Sequence, residues 1–522
     1  MRNLFRKPWI SVLIFSTYPI LMIVSENVSE VIPKDVVFPL LLSIFTSFFI
    51  YFFLSLITKN QKKSSLFVII LLIFFFYYGH VFYTFISDII INDTTIGRHR
   101  FFLPFWCLLF FLITILLIKT KKPLDPIIVF LNYIFSLLLF FILISILSFG
   151  KFLSMSLPTL NEQPLIIDNY SSSDVEIDEK ARNNEDYPDI YYIILDGYAS
   201  QDTLTNLYNY DNESFYEKLS DKGFYIAKNS ISNYSNTLLS LTSSLNMEYL
   251  DKEKKVYQIK SNNSLVNSKV AKLLMSNGYK YITFESGYSV SEGSSIADLN
   301  VSCSPFSEFD FLLIKASILS PFSIYGSIQA RILCQFESIK KIASNGSDFI
   351  FAHIVAPHPP FIFDKNGGNI IIPKISSLVS NDNAWADQKA YIEQLQFVNF
   401  KTLELVDSIK NKYDKDNFII IIQSDHGPAS LGNELMSNPS DNLIKERMGI
   451  LNSYYVPREF ETSLYEKITP VNSFRIILSE LFNMDLPILK DKSFFTSYRN
   501  STLQINKQQK IIFTDVTDIS RY

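Results

Sequence analysis

The chain has 522 residues, of which 48% are hydrophobic and 15% aromatic, and its formal net charge is −4. A mean hydropathy of +0.17 is too apolar for an ordinary soluble protein. The apolar surplus lies in the first 150 residues, whereas 151–522 hold 45 acidic and 35 basic residues, a balance that argues against nucleic-acid binding.

Five apolar stretches follow one another at the start of the chain. Each runs uncharged for roughly 18 to 25 residues, enough to cross the ~30 Å hydrocarbon core as a helix. They are 8–25, 36–58, 64–87, 101–118 and 126–150. A cleaved signal peptide would explain the first stretch only, and no small-residue cleavage site follows it. We therefore predict a transmembrane domain of five helices at 1–150.

Basic residues in the short loops predict the orientation of these spans. Three precede the first span, three separate the second from the third, and three separate the fourth from the fifth: Arg2, Arg6, Lys7, Lys59, Lys62, Lys63, Lys119, Lys121 and Lys122. This bias places the amino terminus in the cytoplasm and everything after Gly150 outside. Arg98 and Arg100 then lie on an outer loop, where they could bind lipid phosphates or simply anchor the fourth span at the interface.

The outer part of the chain divides into a linker and an α/β domain. Residues 151–187 are polar and lack a sustained period, which is typical of a juxtamembrane linker. Residues 188–522 alternate apolar runs at 189–195, 279–285, 348–355, 418–423 and 448–455 with amphipathic stretches at 212–222, 264–277, 386–412 and 471–482. This alternation predicts a central, mostly parallel sheet between helices.

Two cysteines, Cys303 and Cys334, lie outside the predicted spans. The predicted compartment is oxidising, so a disulfide between them is plausible, but the sequence gives no distance. The pairing therefore stays open at this point.

Metal-competent residues follow two of the predicted strands. The first strand ends in Asp196-Gly197 and the fourth in Asp425-His426. In open α/β sheets, ligands bind outside the carboxyl ends of the strands. Two carboxylates and one imidazole would give a divalent cation three ligands, as in catalytic sites that keep a position open. Each residue alone could belong to an ordinary turn, but their matching positions favour a metal site.

A cluster of hydroxyl side chains, "SISNYSNTLLSLTSSLNMEYL" at 230–250, lies between these strands. It precedes a helix-compatible run at 238–245, so one hydroxyl should lie at a helix amino terminus, where free N–H groups stabilise an arriving phosphate. Metal coordination could activate that hydroxyl as a nucleophile, although N-capping by Asn236 or Thr237 would explain the pattern equally well. The sequence does not choose among Ser235, Thr237, Ser240 and Thr242.

Several stretches, among them "YYIILDGYAS", "ISNYSNTLLSLTSSLNM", "HIVAPHPPF", "SDHG" and "ERMGILNSYYVP", resemble the alkaline phosphatase superfamily. The likeness covers roughly 187–490 and is greatest to the membrane-anchored sulfatase-like branch, which includes lipoteichoic acid synthases and lipid A phosphoethanolamine transferases. It implies one divalent metal ion, Zn or Mn, held by Asp196, Thr237, Asp425 and His426, with Thr237 as the nucleophile. It also implies that His358 lies near the substrate, as leaving-group acid or phosphate donor.

The sequence departs from the sulfatases that use formylglycine. Thr237 is followed by Leu238-Leu239-Ser240-Leu241, without the proline and arginine of their motif. The resemblance therefore implies a bacterial membrane enzyme that transfers a phosphoryl-alcohol group from a phospholipid to a cell-surface glycan or lipid through a phospho-threonine. The alternatives are a phosphate- or sulfate-ester hydrolase of the same superfamily and, in another class, a non-catalytic scaffold for envelope assembly.

Overall fold

We describe the protein from a computed structural model. The described residues are 5–27, 31, 33–86, 90–91, 94–95, 98–148, 187–250, 265–288, 291, 293–303, 307–321, 325–342, 347–368, 385–413, 417–432, 438–498 and 511–521. They form two compact units, an apolar unit containing the described residues up to 148 together with 307–321 and 325–327, and an α/β unit containing the others. Apart from Tyr187, the predicted linker lies outside the described residues.

The apolar unit is built from long helices. They are α1 (Pro8–Glu26), α2 (Pro33–Thr58), α3 (Gln61–Phe76), α4 (Tyr78–Val81), α5 (His99–Lys119) and α6 (Asp125–Ser148). Four of these helices are long and apolar enough to cross a membrane, and α3 with the segment after it makes a fifth span if the bent pair counts as one. A short ladder pairs Ile90–Ile91 with Thr94–Thr95, and the helix Glu308–Ala316 belongs to the same unit.

The third predicted span, 64–87, is bent rather than straight. After α3, the chain continues through α4 and a π-helical turn, Phe82–Ile86, at an angle of 50°. Gly79 lies at this bend, and a Cβ on it would come within 1.8 Å of the Lys315 carbonyl oxygen. Only glycine allows this approach between two backbones. Because the partner is 236 residues away in sequence, hydropathy alone could not predict the bend.

Arg98 and Arg100 are exposed at the start of α5. The Arg100 guanidinium lies 4.8 Å from the ring centre of its neighbour Phe101. Between the two arginines, His99 Nδ1 lies 3.0 Å from the Tyr78 hydroxyl. These contacts hold the end of the helix, and binding of lipid phosphates by the two arginines stays a prediction.

The α/β unit has a seven-stranded sheet. Its strands are β1 (Asp189–Leu195), β2 (Tyr225–Ile226), β3 (Lys280–Phe284), β4 (Leu299–Val301), β5 (Asp348–Ile354), β6 (Phe418–Gln423) and β7 (Asn452–Tyr455). Their order across the sheet is β2-β7-β6-β1-β5-β3-β4. The pairs from β6 to β4 are parallel, while β7 pairs antiparallel with both β6 and β2. The predicted mostly parallel sheet is confirmed.

Nine helices of the α/β unit connect and cover these strands among the described residues. They are α7 (Gln201–Tyr208), α8 (Glu213–Asp221), α9 (Thr237–Asn246), α10 (Lys269–Ser276), α11 (Tyr325–Lys341), α12 (Gln388–Lys410), α13 (Asp441–Met448), α14 (Arg458–Glu461) and α15 (Pro470–Phe482). The predicted strand 448–455 begins only at Asn452, because α13 extends to Met448. Ser440 starts this helix by accepting a hydrogen bond from the Leu443 N–H at 3.3 Å.

The core of the α/β unit follows the two-residue period of its strands. One face of the sheet carries three fully buried side chains of β1, those of Ile190, Tyr192 and Ile194. They belong to a hydrophobic cluster with side chains of α9, α10 and α15. On the opposite face, the Tyr191 hydroxyl lies 2.9 Å from that of Tyr413, just after α12. Each large apolar side chain buried in this way contributes about 1.5–3 kcal/mol. The sheet is therefore covered on both faces, which fixes the positions of its strand ends.

A disulfide joins Cys303, just after β4, to Cys334 in α11. The pairing left open by the sequence is thus present in the structure. Near the carboxyl end of the chain, strands β8 (Phe494–Tyr498) and β9 (Ile511–Asp515) form an antiparallel pair that the sequence pattern did not predict.

Candidate metal centre and nucleophile

Asp196 lies directly after β1. The parallel register sets Leu195 beside Ile354 of β5, and the Asp196 N–H donates to the Ile354 carbonyl at 3.0 Å. Gly197 then turns the chain with φ +73°, and a Cβ there would lie 2.4 Å from the Trp385 ring. The turn therefore requires glycine, and it leaves the Asp196 carboxylate at the sheet edge.

Asp425 and His426 follow β6, the parallel neighbour of β1. Ser424 holds the two strand ends together, because its hydroxyl accepts the Tyr198 N–H at 2.8 Å and donates to the His426 carbonyl at 2.7 Å. At Gly427, a Cβ would lie 2.1 Å from a backbone carbonyl oxygen of α13. The "SDHG" stretch is thus a tightly packed strand end.

The structure brings Asp196, Asp425 and His426 together as one group. One ligand atom from each lies within 4.8 Å of the others. His426 Nε2 is 3.2 Å from Asp425 Oδ2 and 3.7 Å from Asp196 Oδ1. All three side chains are buried, with 1–3% of their surface exposed. The three residues predicted as metal ligands therefore lie together at the carboxyl edge of the sheet.

Hydrogen bonding fixes the form of the His426 ring. Nδ1 lies 3.0 Å from the Gly427 carbonyl, which can only accept a hydrogen bond, so Nδ1 carries the hydrogen. Burial, followed by the positive charge of Arg447, lowers the pKa of His426 well below its ordinary value. The ring is therefore neutral, and Nε2 presents a lone pair to the two carboxylates, as a metal ligand does.

The unsatisfied oxygens of the cluster fit a cation. In the described part of the chain, no donor reaches Asp196 Oδ1 or Asp425 Oδ2, although both atoms are buried. Together with His426 Nε2 they place three acceptors close together in a dry environment, an arrangement that is costly unless a positive charge is shared among them. Carboxylate oxygens and imidazole nitrogen suit a divalent ion such as Zn²⁺ or Mn²⁺.

The two carboxylates have pKa values shifted in opposite directions. Burial, followed by the negative charge of Asp196, raises the pKa of Asp425 to about 6. Burial acts in the same direction on Asp196, but the electrostatic effect of the nearby His358 ring and a hydrogen bond from His353 outweigh it and hold the pKa of Asp196 below its ordinary value. Asp196 is therefore the carboxylate that stays ionised. Its negative charge repels an ionised Asp425 and favours the protonated form of Asp425.

Thr237 is the hydroxyl that meets the cluster. Its Oγ1 lies 3.0 Å from His426 Nε2, to which the hydroxyl can donate. Thr237 is the first residue of α9, whose N-cap Asn236 accepts the Leu238 N–H at 3.1 Å. The capping role thus belongs to Asn236 and leaves the threonine hydroxyl for the site, beside the positive end of the helix dipole.

The other hydroxyls of this stretch have different surroundings. Ser235 Oγ lies 2.7 Å from Thr496 Oγ1. Ser240 Oγ donates to the Asp425 carbonyl at 2.6 Å and so ties α9 to the strand end. Thr242 Oγ1 is buried without a hydrogen-bond partner among the described residues. Of the four hydroxyls that the sequence left open, the structure puts Thr237 in contact with a candidate ligand.

His358 lies on a loop that follows β5, at the same edge of the sheet. The peptide bonds Ala356–Pro357 and Pro359–Pro360 on either side are cis. Its Nδ1 lies 2.6 Å from the Pro359 carbonyl, and its ring centre is 4.7 Å from that of Trp385 and 6.5 Å from that of His426. With Nδ1–H donated to the carbonyl, Nε2 is the atom left for proton exchange.

Two further residues belong to the surroundings of the cluster and were not identified as site residues from the sequence. His353 of β5 is fully buried, and its Nε2 lies 3.2 Å from Asp196 Oδ2. Arg447 is buried near the carboxyl end of α13 and donates to the Ser235 and Gly427 carbonyls, each at 2.8 Å. The only sequence signal for His353 was its place near the end of a strand adjacent to β1.

No family model matches the sequence, and no curated protein matches it. Solved structures do match. The periplasmic domain of the phosphoethanolamine transferase EptC from Campylobacter jejuni is 14% identical, with 58% of this chain and 92% of that chain covered and a TM-score of 0.37. The phosphonate monoester hydrolase of Agrobacterium radiobacter is 11% identical, with 63% and 86% covered and a TM-score of 0.41.

A third match is the lipoteichoic acid synthase LtaP from Listeria monocytogenes, 14% identical, with 52% of this chain and 65% of that chain covered and a TM-score of 0.34. Phosphoethanolamine transferases and lipoteichoic acid synthases are the protein classes named by the sequence resemblance. All three TM-scores are below 0.5, so these matches carry no argument about the function of this chain.

Proposed function

We propose that the protein is a metal-dependent, membrane-anchored phosphotransferase that moves a phosphoryl-alcohol group from a phospholipid to a cell-surface glycan or lipid through a phospho-threonine at position 237. One observation carries this proposal: the Thr237 hydroxyl lies 3.0 Å from His426 Nε2, beside two buried carboxylates with unsatisfied oxygens. A hydroxyl at a helix amino terminus, next to a divalent cation site, is an arrangement suited to attack on phosphorus.

Asp196, Asp425 and His426 would hold the cation, with Thr237 as a fourth ligand. A bound Zn²⁺ or Mn²⁺ supplies Lewis acidity, which lowers the pKa of a hydroxyl and offsets negative charge on a phosphoryl oxygen. The donor set of oxygens and one nitrogen lies between the preferences of these two metals. The amino terminus of α9 adds backbone N–H groups that stabilise the same phosphoryl charge.

In the first half of the reaction, Thr237 attacks the phosphorus of a phospholipid head group. A bond forms between Oγ1 and phosphorus, and the bond from phosphorus to the diacylglycerol oxygen breaks. The proton of the Thr237 hydroxyl passes to His358 Nε2, which can accept it because Nδ1 donates its hydrogen to the Pro359 carbonyl. His358 then gives this proton to the leaving diacylglycerol alkoxide. The products are diacylglycerol and a phosphoryl-alcohol ester of Thr237.

In the second half, an acceptor hydroxyl attacks the same phosphorus. The bond between phosphorus and Thr237 Oγ1 breaks, and the threonine recovers a proton that the acceptor has lost to His358. Any alcohol that reaches the site can react in this way, and a surface glycan or lipid is the class we propose. Water as acceptor would turn the same chemistry into hydrolysis.

The apolar unit gives this reaction its location. A chain anchored in a membrane meets lipid substrates at a high effective concentration. We propose that the amino terminus is cytoplasmic and that the α/β unit works outside, as the distribution of basic loop residues predicts. We also propose that the membrane is that of a bacterium, as the sequence resemblance implies. Arg98 and Arg100, exposed at the start of α5, would bind lipid phosphates at that surface.

The test uses the full chain, purified in detergent and loaded with Mn²⁺ or Zn²⁺. The protein is incubated with mixed bacterial phospholipids, and its intact mass and peptide masses are measured. We expect one phosphoryl-alcohol adduct on Thr237 and release of diacylglycerol. Thr242→Val is the matched control, because Thr242 lies on the same helix with a buried hydroxyl that lacks a partner in the described structure, and it should form the adduct normally.

Two other outcomes would overturn the transferase proposal. Metal binding without an adduct, together with release of phosphate or sulfate from soluble esters, would identify a hydrolase. Absence of metal from the wild-type chain, with the fold intact, would remove the catalytic interpretation and favour a scaffold in envelope assembly.

A further inference from the structure

The two carboxylate oxygens of Asp196 have different partners. Oδ1 lies 3.7 Å from His426 Nε2 and has no donor among the described residues, whereas Oδ2 lies 3.2 Å from His353 Nε2. An ionised carboxylate can only accept hydrogen bonds, so the hydrogen between these atoms is carried by His353 Nε2. One oxygen is thus fixed by a donor, and the other is left for the metal centre.

Serine hydroxyls lie beside the other ring nitrogen of His353, Nδ1. Ser291 Oγ lies 2.7 Å from His353 Nδ1, and Ser286 Oγ lies 2.8 Å from Ser291 Oγ. If a neutral ring donates from Nε2, then Nδ1 accepts, and the Ser291 hydroxyl donates to it. The contacts from Ser286 through Ser291 to His353 are therefore compatible with the tautomer that holds Asp196.

The backbone around His353 is also fixed. Its strand β5 pairs directly with β1 in register, with Ile194 beside His353. The Gln335 side chain donates to the His353 carbonyl at 3.0 Å, and His353 has no exposed surface. A buried ring held at its backbone and at both nitrogens has one orientation, which makes it a rigid support for the carboxylate it touches.

We infer that His353 is a positioning residue for the metal centre: it holds Asp196 through Oδ2 and so presents Oδ1 to the cation. This inference rests on the metal site of the proposed function. Packing alone would not require a histidine here, because an apolar side chain fills a strand position equally well but would leave Asp196 Oδ2 buried without a donor. Removing a partner of this kind weakens metal binding by about 10- to 100-fold in other metalloproteins.

The test measures the affinity of the full chain for Mn²⁺ by titration calorimetry, in detergent, together with the melting temperature of the metal-free form. His353→Leu should weaken binding by about 10- to 100-fold. His353→Gln should recover most of the affinity, because its amide N–H can reach Asp196 Oδ2. Phe351→Leu is the matched control: Phe351 is buried on the same strand, so this change should lower the melting temperature while leaving the affinity for Mn²⁺ unchanged.

Each alternative result would decide against the inference. Wild-type affinity in His353→Leu would show that His353 only packs, and equal loss in Leu and Gln variants would show that its hydrogen bond is not what matters. If the wild-type chain itself binds no Mn²⁺ or Zn²⁺, the proposed function fails together with the inference, which separates that outcome from a failure of His353 alone.

Discussion

Thr237 Oγ1 and His426 Nε2 lie 3.0 Å apart although 189 positions separate them in the chain. The contact exists because α9 begins at the edge of the sheet where β6 ends. One turn into the helix, Ser240 donates to the Asp425 carbonyl at 2.6 Å. Two side chains on the same face of α9, those of Thr237 and Ser240, therefore tie the helix to the end of β6.

Replacing Thr237 with alanine should remove turnover while leaving the fold intact. We expect a loss of about 10³-fold or more with a fluorescent phospholipid, since a missing nucleophile cannot be replaced by its neighbours. Thr237→Ser keeps a hydroxyl at the helix start and should retain measurable turnover. Circular dichroism and the melting temperature would show that both variants fold, and full activity in Thr237→Ala would contradict the assignment of the nucleophile.

Replacing Asp425 with asparagine should separate stability from metal binding. Without a cation, Asp425 is buried beside Asp196, which raises its pKa to about 6, so a neutral side chain relieves repulsion at pH 7.5. The amide oxygen that this substitution introduces can still accept the Gly197 N–H, which the Asp425 carboxylate accepts at 3.2 Å. We expect the metal-free variant to be more stable than the metal-free wild type by about 1 kcal/mol.

The same variant should lose its response to metal. A ligand present at 100 times its dissociation constant stabilises the native state by about 2.7 kcal/mol, and this gain should appear as a rise in the melting temperature of the wild type with Mn²⁺ or Zn²⁺. Asp425→Asn should show little or no rise. A metal-free variant that is less stable than the wild type would show that the carboxylates do not repel each other in the native state.

The sequence predicted the parts of the site that depend on local pattern. Apolar runs located β1 and β6, and the rule that ligands bind at the carboxyl ends of parallel strands then grouped Asp196 with Asp425 and His426. Both strands run over their predicted residues, and the three side chains form one cluster. Periodicity sufficed here because a buried parallel strand has few alternative positions.

The sequence could not predict the features of the site and fold that depend on contacts between distant segments. Which hydroxyl of 230–250 reaches His426 depends on how α9 is rotated about its own axis. The hydrophobic period of the sequence does not fix that rotation relative to the strand end. Arg447 contacts the site only because α13 packs on two loops, and the bend after α3 depends on Gly79 lying against the Lys315 carbonyl. Such contacts join segments that are far apart in the sequence, so no local pattern records them.

Replacing Arg447 with methionine should loosen both loops of the site. Its guanidinium donates to the Ser235 carbonyl, two residues before Thr237, and to the Gly427 carbonyl, which also accepts from His426 Nδ1. Loss of two donors to buried carbonyls should destabilise the fold by about 2–4 kcal/mol. We also expect weaker Mn²⁺ binding, by about 10-fold, because the loop carrying His426 is less well held.

The chain offers a matched control for this prediction. Arg475 also bridges two carbonyls, donating to those of Pro487 at 2.7 Å and Met247 at 2.6 Å, but it contacts none of the ligand loops through these bonds. Arg475→Met should therefore lower the melting temperature and leave Mn²⁺ affinity unchanged. Equal effects of the two variants on metal affinity would mean that Arg447 acts through global stability only.

Asp348 provides a prediction about pH that is independent of the metal centre. It begins β5 beside Asp189, which begins β1, and its N–H donates to Asp189 Oδ1 at 2.7 Å. Burial, followed by the negative charge of Asp189, raises the pKa of Asp348 to about 6. In the unfolded chain an aspartate has a pKa of about 3.9.

The sign of the effect follows from these two values. Between about pH 4 and pH 6 the native state binds a proton that the unfolded state has lost, so stability falls as the pH rises through this window. The side chain introduced by Asp348→Asn cannot ionise, so this variant does not lose stability as the pH rises through the window. We expect no difference from the wild type at pH 4 and a gain of about 1 kcal/mol at pH 7.5, less than the full shift implies because the carboxyl is partly screened by solvent.

Thermal unfolding of the full chain in detergent, with a chelator present and the pH varied from about 4 to about 7.5, would measure this difference across the window set by the two pKa values. Glu217→Gln is the control, since Glu217 is exposed on α8, and its effect should not change across the window. The opposite trend for Asp348→Asn, with the gain largest at the acid end, would mean that Asp348 is stabilised in its ionised form. Lys280, paired with Asp348 across β3 and β5, would then be the group that outweighs Asp189.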